Sequence, residues 1–587
     1  MRKKEWLIGI GCLFLLAVIL GIRSFYSFCW SDESLYMAEV HRLYLGDRPI
    51  VDEWHPTQFY AVLLLPFYSL FMRINGSTEG IFLTARIFYL VLALLTSVYV
   101  FYFMRAKKNV MLGISIFSGA LILMYCRANV FGPSYHNIFL LTFVSGSLLI
   151  YQVIQDKQQK LLSIKSALLS ILAGFLMGMA VLTIPVLAAF YIIISCVLLG
   201  VMIHSKSLQG KYQLPVIFFW SGTLIMGGIY LLVLFSRVTA AELIQNIPYL
   251  FQDSVHASRT IGEHLYDFLW LCGFYAKYTL IALLLAAIYR IGCSILKKQE
   301  RKFSVIFLLI GLMAFCIDLY QKADSHMGSY ISLLFCTLIF IVLYGDFKLA
   351  KRKKNEGLFF IIGAASVCTM YSFASATSDP IIQGMIFVTI GLLIVISDSQ
   401  KNWNTKISVK GILIAVILIM IGMTMRIRVV SVYRDAPLQE LTTKITKGPG
   451  KGLITTDKNV ENYNNCLSVM NEINSLERDE NDTILITAMA PWIYTATDIP
   501  CGVHTTWRVL LDNPLLEEYF KNHSISNLKY ILVLDEEYGA YKGAMTPEGS
   551  SKTPNQNQYE GFLWEVINSN EYQLKKVSSG ILYNRKD

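Results

Sequence analysis

The feature that most constrains this chain is a succession of apolar runs, each close to the ~20 residues that a helix needs to cross a bilayer core. Of the 587 residues, 55% are hydrophobic and 16% are charged, whereas soluble globular chains have roughly 45–50% and about 25%. The sequence therefore predicts a polytopic membrane protein. Its Pro, Gly and Cys contents exclude the disordered, collagen-like and disulfide-scaffold classes.

The apolar runs predict thirteen membrane spans, at residues 6–23, 79–104, 110–126, 137–155, 163–183, 185–203, 214–236, 266–290, 303–321, 328–346, 358–376, 380–398 and 411–429. Residues Phe59–Arg73 are also apolar, but this stretch is short and Pro66 interrupts it. It is predicted to form an interfacial or re-entrant helix and is not counted as a span.

Basic residues set the expected orientation of these spans. With the N-terminus in the cytoplasm, most Lys and Arg residues between spans fall in cytoplasmic loops, as the positive-inside rule requires. This distribution accounts for the net charge of +10, and no basic helix with interleaved aromatic residues indicates nucleic-acid binding. The bulky stretch Phe25–Trp30 offers no small-residue cleavage site, so the first span is expected to stay attached.

The expected fold is an all-α polytopic membrane domain of about 13 helices, residues 1–430, followed by a small exoplasmic α/β domain, residues 431–587. Hydropathy falls after Val430, and short β-type runs then alternate with helical patterns. The clearest of these runs is Lys529–Asp535, and Tyr572–Asn584 is predicted to be a hairpin.

The first exoplasmic loop, residues 24–78, carries the most informative polar residues. Asp32 and Glu33 follow the first span directly, with Tyr36 one turn later. Adjacent carboxylates at a membrane surface are costly unless they are solvated or paired. The loop also contains Gly46-Asp47-Arg48-Pro49 and His55-Pro56-Thr57, and Arg86 lies early in the second predicted span.

This order of features resembles the GT-C superfamily of glycosyltransferases that use polyprenyl-phosphate-linked sugars, such as protein O-mannosyltransferases, the aminoarabinose transferase of lipid A and lipopolysaccharide-core transferases. The resemblance covers residues 1–345 in pattern and 30–86 in motif. It implies an inverting transfer from a polyprenyl-phosphate-linked sugar to an envelope glycan, lipid or protein at the exoplasmic face of a plasma membrane. It also implies that Asp32 is the general base, while Glu33 either holds the local structure or ligates a metal.

A leaving phosphate needs cations near it. The candidates on the exoplasmic side are Arg127, Lys322 and His326. Lys322 could equally be a surface residue paired with Asp324, and Arg127 could simply extend to the interface. Arg86, if it lies within the second span, must find a partner or water.

The sequence leaves open the roles of two histidines, His136 and His55, and whether the protein binds a metal ion. Some members of the family carry a second carboxylate between the third and fourth spans, but this loop, residues 129–137, has no acid and contains His136. His136 could replace the missing carboxylate as a metal ligand or as a hydrogen-bond partner, or it could be structural, and Glu33 is the other candidate metal ligand. His55 is a candidate substrate-binding residue. A divalent metal ion is therefore a candidate cofactor.

Three further features have both a functional and a structural interpretation. Residues 237–265 could close over the site as a lid or serve as a connector. Trp492 and Trp507 could stack on sugars or belong to a core. Cys466 and Cys501 could form a disulfide or remain free thiols.

Two other functions compete with transfer. A flippase for a lipid-linked saccharide would need polar residues within spans, of which Asp318 is the main one. A non-catalytic assembly protein would act through residues 435–587. No phosphate-cradling GxxxxGK[ST] motif is present, which argues against a nucleotide-driven pump.

Overall fold

The computed structural model describes residues 3–125, 129–155, 163–185, 209–252, 260–296, 304–321, 407–487, 489–507, 513–535 and 561–586. It also describes residues 187–189, 191–192, 195–196, 386, 389–391, 393–394 and 538. The predicted spans 328–346 and 358–376 lie outside these residues, and most of 185–203 and 380–398 does as well.

In the described part of the first 430 residues, the regular elements are helices joined by loops. The helices are α1 (Lys3–Arg23), α2 (Asp32–Leu45), α3 (Ala61–Asn75), α4 (Ile81–Tyr102), α5 (Leu112–Met124), α6 (Tyr135–Gln155), α7 (Ile164–Thr183), α8 (Gln209–Phe235), α9 (Ala240–Asn246), α10 (Ile261–Tyr275), α11 (Lys277–Ile295), α12 (Ser304–Gln321) and α13 (Ile407–Val430). A π-helical turn, Phe103–Lys107, extends α4.

Five helices in the described part of the chain are long and apolar enough to cross a membrane. They are Lys3–Arg23, Ile81–Lys107, Tyr135–Val153, Ile164–Thr183 and Leu214–Phe235. Each overlaps one of the thirteen predicted spans, and the structure does not confirm that total. α3, the expected interfacial helix, contains Pro66 and is capped after Asn75 by Gly76, whose φ of 70° suits glycine.

The predicted span 266–290 is wrong as a single helix. The structure divides it into α10 and α11 at Ala276, which is fully buried. The carboxylate of Asp318 in α12 accepts hydrogen bonds from Tyr278 N (3.1 Å) and Thr279 N (2.8 Å). Since these amides belong to the first turn of α11, Asp318 supplies the cap that a new helix needs. Asp318 therefore has a structural contact that the flippase hypothesis did not anticipate.

The C-terminal region contains a four-stranded mixed sheet. Its strands, in spatial order, are β3 (Thr483–Ile486), β4 (Leu528–Leu534), β6 (Gly580–Arg585) and β5 (Tyr572–Val577). β3 and β4 are parallel, whereas β6 is antiparallel to both of its neighbours. A two-stranded ribbon, β1 (Thr443–Lys444) and β2 (Ile454–Thr455), precedes it. The described part of this region also contains the helices α14 (Asp457–Asn474), α15 (Pro491–Tyr494), α16 (Asn513–Asn522) and α17 (Gly561–Ile567).

The first loop and the C-terminal region share one core. Ser27 N donates to Ile454 O and Ile454 N donates to Phe25 O, both at 2.8 Å, so the loop pairs with β2. Trp30 is fully buried, and its ring centroid lies 6.1 Å from that of Trp492, which is also fully buried. This packing fixes the start of α2 against the sheet region, and α2 carries the polar residues of interest.

Candidate active site

α2 begins with the two adjacent carboxylates, and its fold treats them differently. Asp32 is partly exposed, and its one hydrogen bond within the described part of the chain is the 2.8 Å bond that Ser31 Oγ donates to Oδ2. Asp32 makes no ion pair with any described residue. Its carboxylate therefore keeps capacity to accept a proton or a hydrogen bond from a substrate.

Glu33 points in another direction and is 2% exposed. Arg86 of α4, 1% exposed, donates from Nε to Oε1 at 2.6 Å and from Nη2 to Oε2 at 2.5 Å. The remaining nitrogen, Nη1, donates to Ser24 O at 2.6 Å. The expected partner of Arg86 is thus Glu33, in the bidentate geometry that makes arginine–carboxylate pairs strong.

The loop between α5 and α6 packs directly on this pair. A Cβ atom on Gly132 would lie 2.9 Å from Glu33 Oε1, so only glycine allows this close approach. Asn137 Nδ2 holds the loop by donating to Gly132 O at 2.9 Å. The next turn packs on α2, where the Tyr135 and Tyr36 rings meet edge to face at 5.8 Å. The loop without an acid therefore does lie beside the two carboxylates.

Three buried arginines surround one aromatic ring next to the carboxylates. The Cζ atoms of Arg23, Arg86 and Arg428 lie 5.1, 6.0 and 4.4 Å from the centre of the Phe131 ring, and each side chain is at most 3% exposed. Glu33 neutralises Arg86, and no described carboxylate forms an ion pair with the other two. The cluster is therefore a concentration of positive charge in a low-dielectric setting.

Arg23 and Arg428 are held by neutral groups. Arg23 donates to the carbonyl oxygens of Val429 (2.7 Å), Tyr26 (2.7 Å) and Ser431 (2.9 Å). Arg428 Nη1 donates to Asn129 Oδ1. Its Nε is buried and has no hydrogen-bond partner among the described residues. A buried guanidinium with an unmet donor is a site at which an anion would be stabilised.

The segment after α13 also reaches the site, which the sequence did not indicate. Burial, followed by the negative charge of Asp32, raises the pKa of Tyr433 well above its ordinary value. Asp435 accepts from Phe28 N (2.7 Å), Thr455 Oγ1 (2.9 Å) and Asn459 Nδ2 (2.8 Å). It thereby ties the first loop to the C-terminal region.

A second polar cluster lies at the other end of α2. Arg42, 2% exposed, donates from Nε to Asp47 at 2.5 Å and from Nη1 to Glu53 at 2.7 Å. Burial raises the pKa of Glu53 to about 7, against the lowering effect of Arg42. Arg48 pairs with Asp52 at 2.8 Å. Gly46-Asp47-Arg48-Pro49 is therefore organised by ion pairs within the loop.

His55 belongs to this second cluster. Its Nδ1 lies 3.2 Å from Glu39 Oε1 and 2.7 Å from Thr57 Oγ1. Glu39 was missed in the sequence because a single acid in a helical pattern reads as a solvated face, yet it is 3% exposed. The structure thus gives His55 carboxylate and hydroxyl neighbours within its own loop.

The other predicted residues divide into two groups. His136 is 2% exposed in the first turn of α6, with its ring 3.9 Å from that of Tyr135. Arg127, Lys322 and His326 lie outside the described residues. Within the residues that the structure does describe, no three or more His, Cys, Asp or Glu side chains come together as a metal site. Glu33, a candidate ligand, directs both oxygens at Arg86.

Part of the expected lid is visible. α9 begins with a capping box between Thr239 and Glu242 and leads into a 3₁₀ turn, Ile247–Phe251. Tyr249 stacks on Trp54 with ring centroids 4.0 Å apart, and Arg48 Nη1 pairs with Glu242 at 2.8 Å. This part of residues 237–265 therefore packs on the first loop, whereas residues 253–259 lie outside the described chain.

The core interpretation holds for the aromatic residues of the C-terminal region. Trp492 is fully buried and Trp507 is 8% exposed, so the Trp492 ring has no free face for a sugar. Cys466 and Cys501 are buried free thiols in the structure, which does not contain the disulfide that was left open.

Two solved structures from Archaeoglobus fulgidus are similar to this chain. The archaeal oligosaccharyltransferase AglB in complex with an inhibitory peptide and a dolichol-phosphate is 11% identical, with a TM-score of 0.49, over 91% of this chain and 70% of that one. An oligosaccharyltransferase complex with Zn and sulfate is 12% identical, with a TM-score of 0.37, over 98% and 73%. No family model and no curated protein matches. Because both the sequence identities and the TM-scores are low, the functional conclusion depends on the geometry of the site.

Proposed function

We propose that this chain is a membrane glycosyltransferase that moves a sugar from a polyprenyl-phosphate donor to an acceptor on the exoplasmic face. One observation carries the proposal: Asp32, whose carboxylate forms no ion pair with any described residue, directly precedes Glu33, and Glu33 pairs with Arg86 of the buried arginine cluster. Glycosyl transfer from a lipid phosphate needs both groups, a base for the acceptor hydroxyl and positive charge for the departing phosphate.

Asp32 is the proposed general base. The neighbouring carboxylate, Glu33, faces away from Asp32 and is neutralised by Arg86. Of the two carboxylates, only Asp32 is therefore available to a substrate. Ser31 Oγ donates to one oxygen and thereby orients the group, which leaves the other oxygen to take a proton. Glu33 is assigned a positioning role, because its pair with Arg86 ties α2 to α4.

Arg23, Arg86 and Arg428 are the proposed phosphate-binding residues. Arg428 contributes most directly, since its buried Nε lacks a partner among the described residues. Arg127, which precedes Asn129 by two positions in the chain, stays a candidate, as do Lys322 and His326. Fixed cations around a site that excludes water stabilise a departing anion without reorganisation.

The proposed reaction is a single displacement. Asp32 accepts the proton of the acceptor hydroxyl, and the acceptor oxygen attacks the anomeric carbon. The bond from that carbon to the phosphate oxygen breaks, and its electron pair leaves with the polyprenyl phosphate. Because the nucleophile approaches opposite the leaving group, the anomeric configuration inverts. His136 and His55 are not assigned a chemical step.

The proposed setting is a plasma membrane with the N-terminus in the cytoplasm and residues 431–587 outside. Arg23 closes α1, and eight residues separate it from Asp32, which begins α2. The active site therefore lies near a membrane surface, where a lipid-anchored phosphate can reach it. The acceptor is proposed to be an envelope glycan, lipid or protein.

The test is transfer by the purified protein in nanodiscs. Polyprenyl phosphates carrying labelled hexoses or pentoses serve as donors, and envelope extracts serve as acceptors. We expect Asp32→Asn to lose at least 100-fold in rate, because general-base catalysis contributes about 10²–10⁴-fold. Glu79→Gln, an exposed acid paired with Lys451, should behave like the unaltered protein. Full activity of Asp32→Asn would remove Asp32 from the base role.

Arg428→Gln tests the phosphate-binding role separately. The amide is neutral and can still bond Asn129, so the fold should survive while the anion site loses charge. We expect weaker binding of polyprenyl phosphate and slower transfer. Unchanged binding of polyprenyl phosphate would refute the proposed role of Arg428.

A further inference from the structure

One aromatic ring, that of Phe131, is the common contact of three buried arginines from distant parts of the chain. Arg23 ends α1, Arg86 lies in α4 and Arg428 lies in the last turn of α13. Phe131 belongs to the loop between α5 and α6 and is 4% exposed. The guanidinium carbons lie between 4.4 and 6.0 Å from the centre of its ring, and that of Arg428 is the nearest. The ring therefore lies where side chains of three helices meet.

The loop is held in place on both sides of this ring. Asn129 has a left-handed backbone with a φ of 56°, which asparagine adopts more readily than most residues. Its side-chain amide donates a hydrogen bond of 2.5 Å to Ser431 O. On the other side, Asn137 Nδ2 donates to Val130 O at 3.3 Å and to Gly132 O at 2.9 Å. The backbone that carries the ring is thus fixed by two asparagine side chains.

The three guanidinium groups repel one another, and the low dielectric of the interior screens this repulsion less than water would. Among the described residues, only Glu33 forms an ion pair with the cluster, and its partner is Arg86. The charge of Asp435 acts on Arg23 through space, but its oxygens accept hydrogen bonds from neutral donors such as Phe28 N. The excess positive charge therefore needs a further group that attracts it.

A phenyl ring supplies attraction without adding charge. The face of an aromatic ring is the negative side of its quadrupole, and it attracts cations within about 6 Å of the ring centre. A carboxylate in the same place would attract the arginines more strongly, but it would neutralise them and repel an incoming phosphate. A leucine would fill much of the space and provide no such attraction. A phenylalanine therefore suits an anion-binding cluster that must keep its charge.

We propose that Phe131 is a positioning residue for the donor phosphate, because its ring holds Arg23, Arg86 and Arg428 together before the phosphate binds. This role rests on the proposed function, which assigns the cluster to the donor. Cations that are already in place stabilise an anion without rearranging. A ring that attracts them less should let the arginines separate, and binding would then have to bring them back together. The affinity for the phosphate should therefore fall.

Fluorination of the ring tests this role, because fluorine withdraws electron density from the ring face and changes its shape little. Phenylalanines that carry one, two or three ring fluorines replace Phe131 in the full chain. The matched control is the same series at Phe117 of α5, which is fully buried in the same apolar cluster and contacts no described ring or cation. The affinity for polyprenyl phosphate is measured in nanodiscs, and the unfolding midpoint is measured by SDS titration in mixed micelles.

We expect each added fluorine at Phe131 to lower both the affinity and the unfolding midpoint. Three fluorines should weaken binding of polyprenyl phosphate at least about fivefold, the size of one desolvated cation–π contact. The series at Phe117 should leave both quantities unchanged. In an Arg428→Gln background, fluorination of Phe131 should lower the midpoint less, because the cation nearest to the ring is gone.

The role of Phe131 is refuted if a protein that binds polyprenyl phosphate keeps its affinity with three fluorines at this position. It is also refuted if the Phe117 series has equal effects, or if fluorination lowers the midpoint as much in the Arg428→Gln background. Failure of the donor proposal gives a different result. If the unaltered protein binds no polyprenyl phosphate, while fluorines at Phe131 alone lower the midpoint, the donor proposal fails and the ring still positions the arginines.

Discussion

The ion pair between Glu33 and Arg86 gives the sharpest prediction about stability. Both side chains are almost fully buried, and two charge-assisted hydrogen bonds of 2.5 and 2.6 Å join them. Removing one partner of a buried pair costs about 3–5 kcal/mol, because an uncompensated charge is left behind. Glu33→Gln keeps one carbonyl oxygen for Arg86, so we expect a loss near the lower limit, about 3 kcal/mol.

The assay is a double-mutant cycle of Glu33→Gln, Arg86→Gln and the double variant, with the free energy of unfolding measured by SDS titration in mixed micelles. The double variant contains no unpaired charge, so it should lose at least 1 kcal/mol less than the sum of the single losses, about the size of coupling seen for contacting residues. Glu79→Gln, in the exposed pair with Lys451, should change stability by less than about 0.5 kcal/mol. A loss below 1 kcal/mol in Glu33→Gln, or additive single losses, would refute the reasoning.

Three further predictions follow from other contacts. Asp435→Asn should destabilise the protein by about 1–3 kcal/mol, because an amide NH₂ would face donors such as Phe28 N; an unchanged unfolding midpoint would contradict this. Burial raises the pKa values of Cys29, Cys466 and Cys501 to about 12, so at pH 8.5 these thiols stay protonated and should resist iodoacetamide until the chain is unfolded. After unfolding, Cys466 and Cys501 should react fully without a reductant, because they are free thiols. Rapid labelling of the native protein, or a disulfide-linked peptide, would contradict this prediction. Transfer should survive EDTA, because Arg86 occupies both Glu33 oxygens and the arginines supply the charge at the phosphate; abolition by EDTA with restoration by a divalent ion would contradict it.

Local patterns in the sequence were enough to predict much of the C-terminal region. The run Lys529–Asp535 overlaps β4, and the hairpin expected at Tyr572–Asn584 is formed by β5 and β6. These signals are local, since alternating β-type residues between turn residues specify a strand without distant contacts. The need of Arg86 for a partner was likewise predictable, because a charge within an apolar helix must be neutralised.

Features that depend on distant residues were not predictable in this way. The break at Ala276 requires Asp318, about forty positions later, as a cap. Arg428 approaches the site because Asn129, 299 positions away, bonds it. Glu39 looked like part of a solvated helix face, and its burial follows from how α2 packs. No pattern in one sequence encodes these pairings, which arise from tertiary packing.

The most direct test of the central claim is native mass spectrometry of lipids that copurify with the Asp32→Asn protein, alongside the unaltered chain. A transferase without its base should bind its donor through the arginine cluster and fail to consume it. We predict a polyprenyl-phosphate-linked sugar bound to Asp32→Asn and lost when Arg428→Gln is added. Only bulk phospholipid in both samples, together with full transfer by Asp32→Asn, would contradict the account.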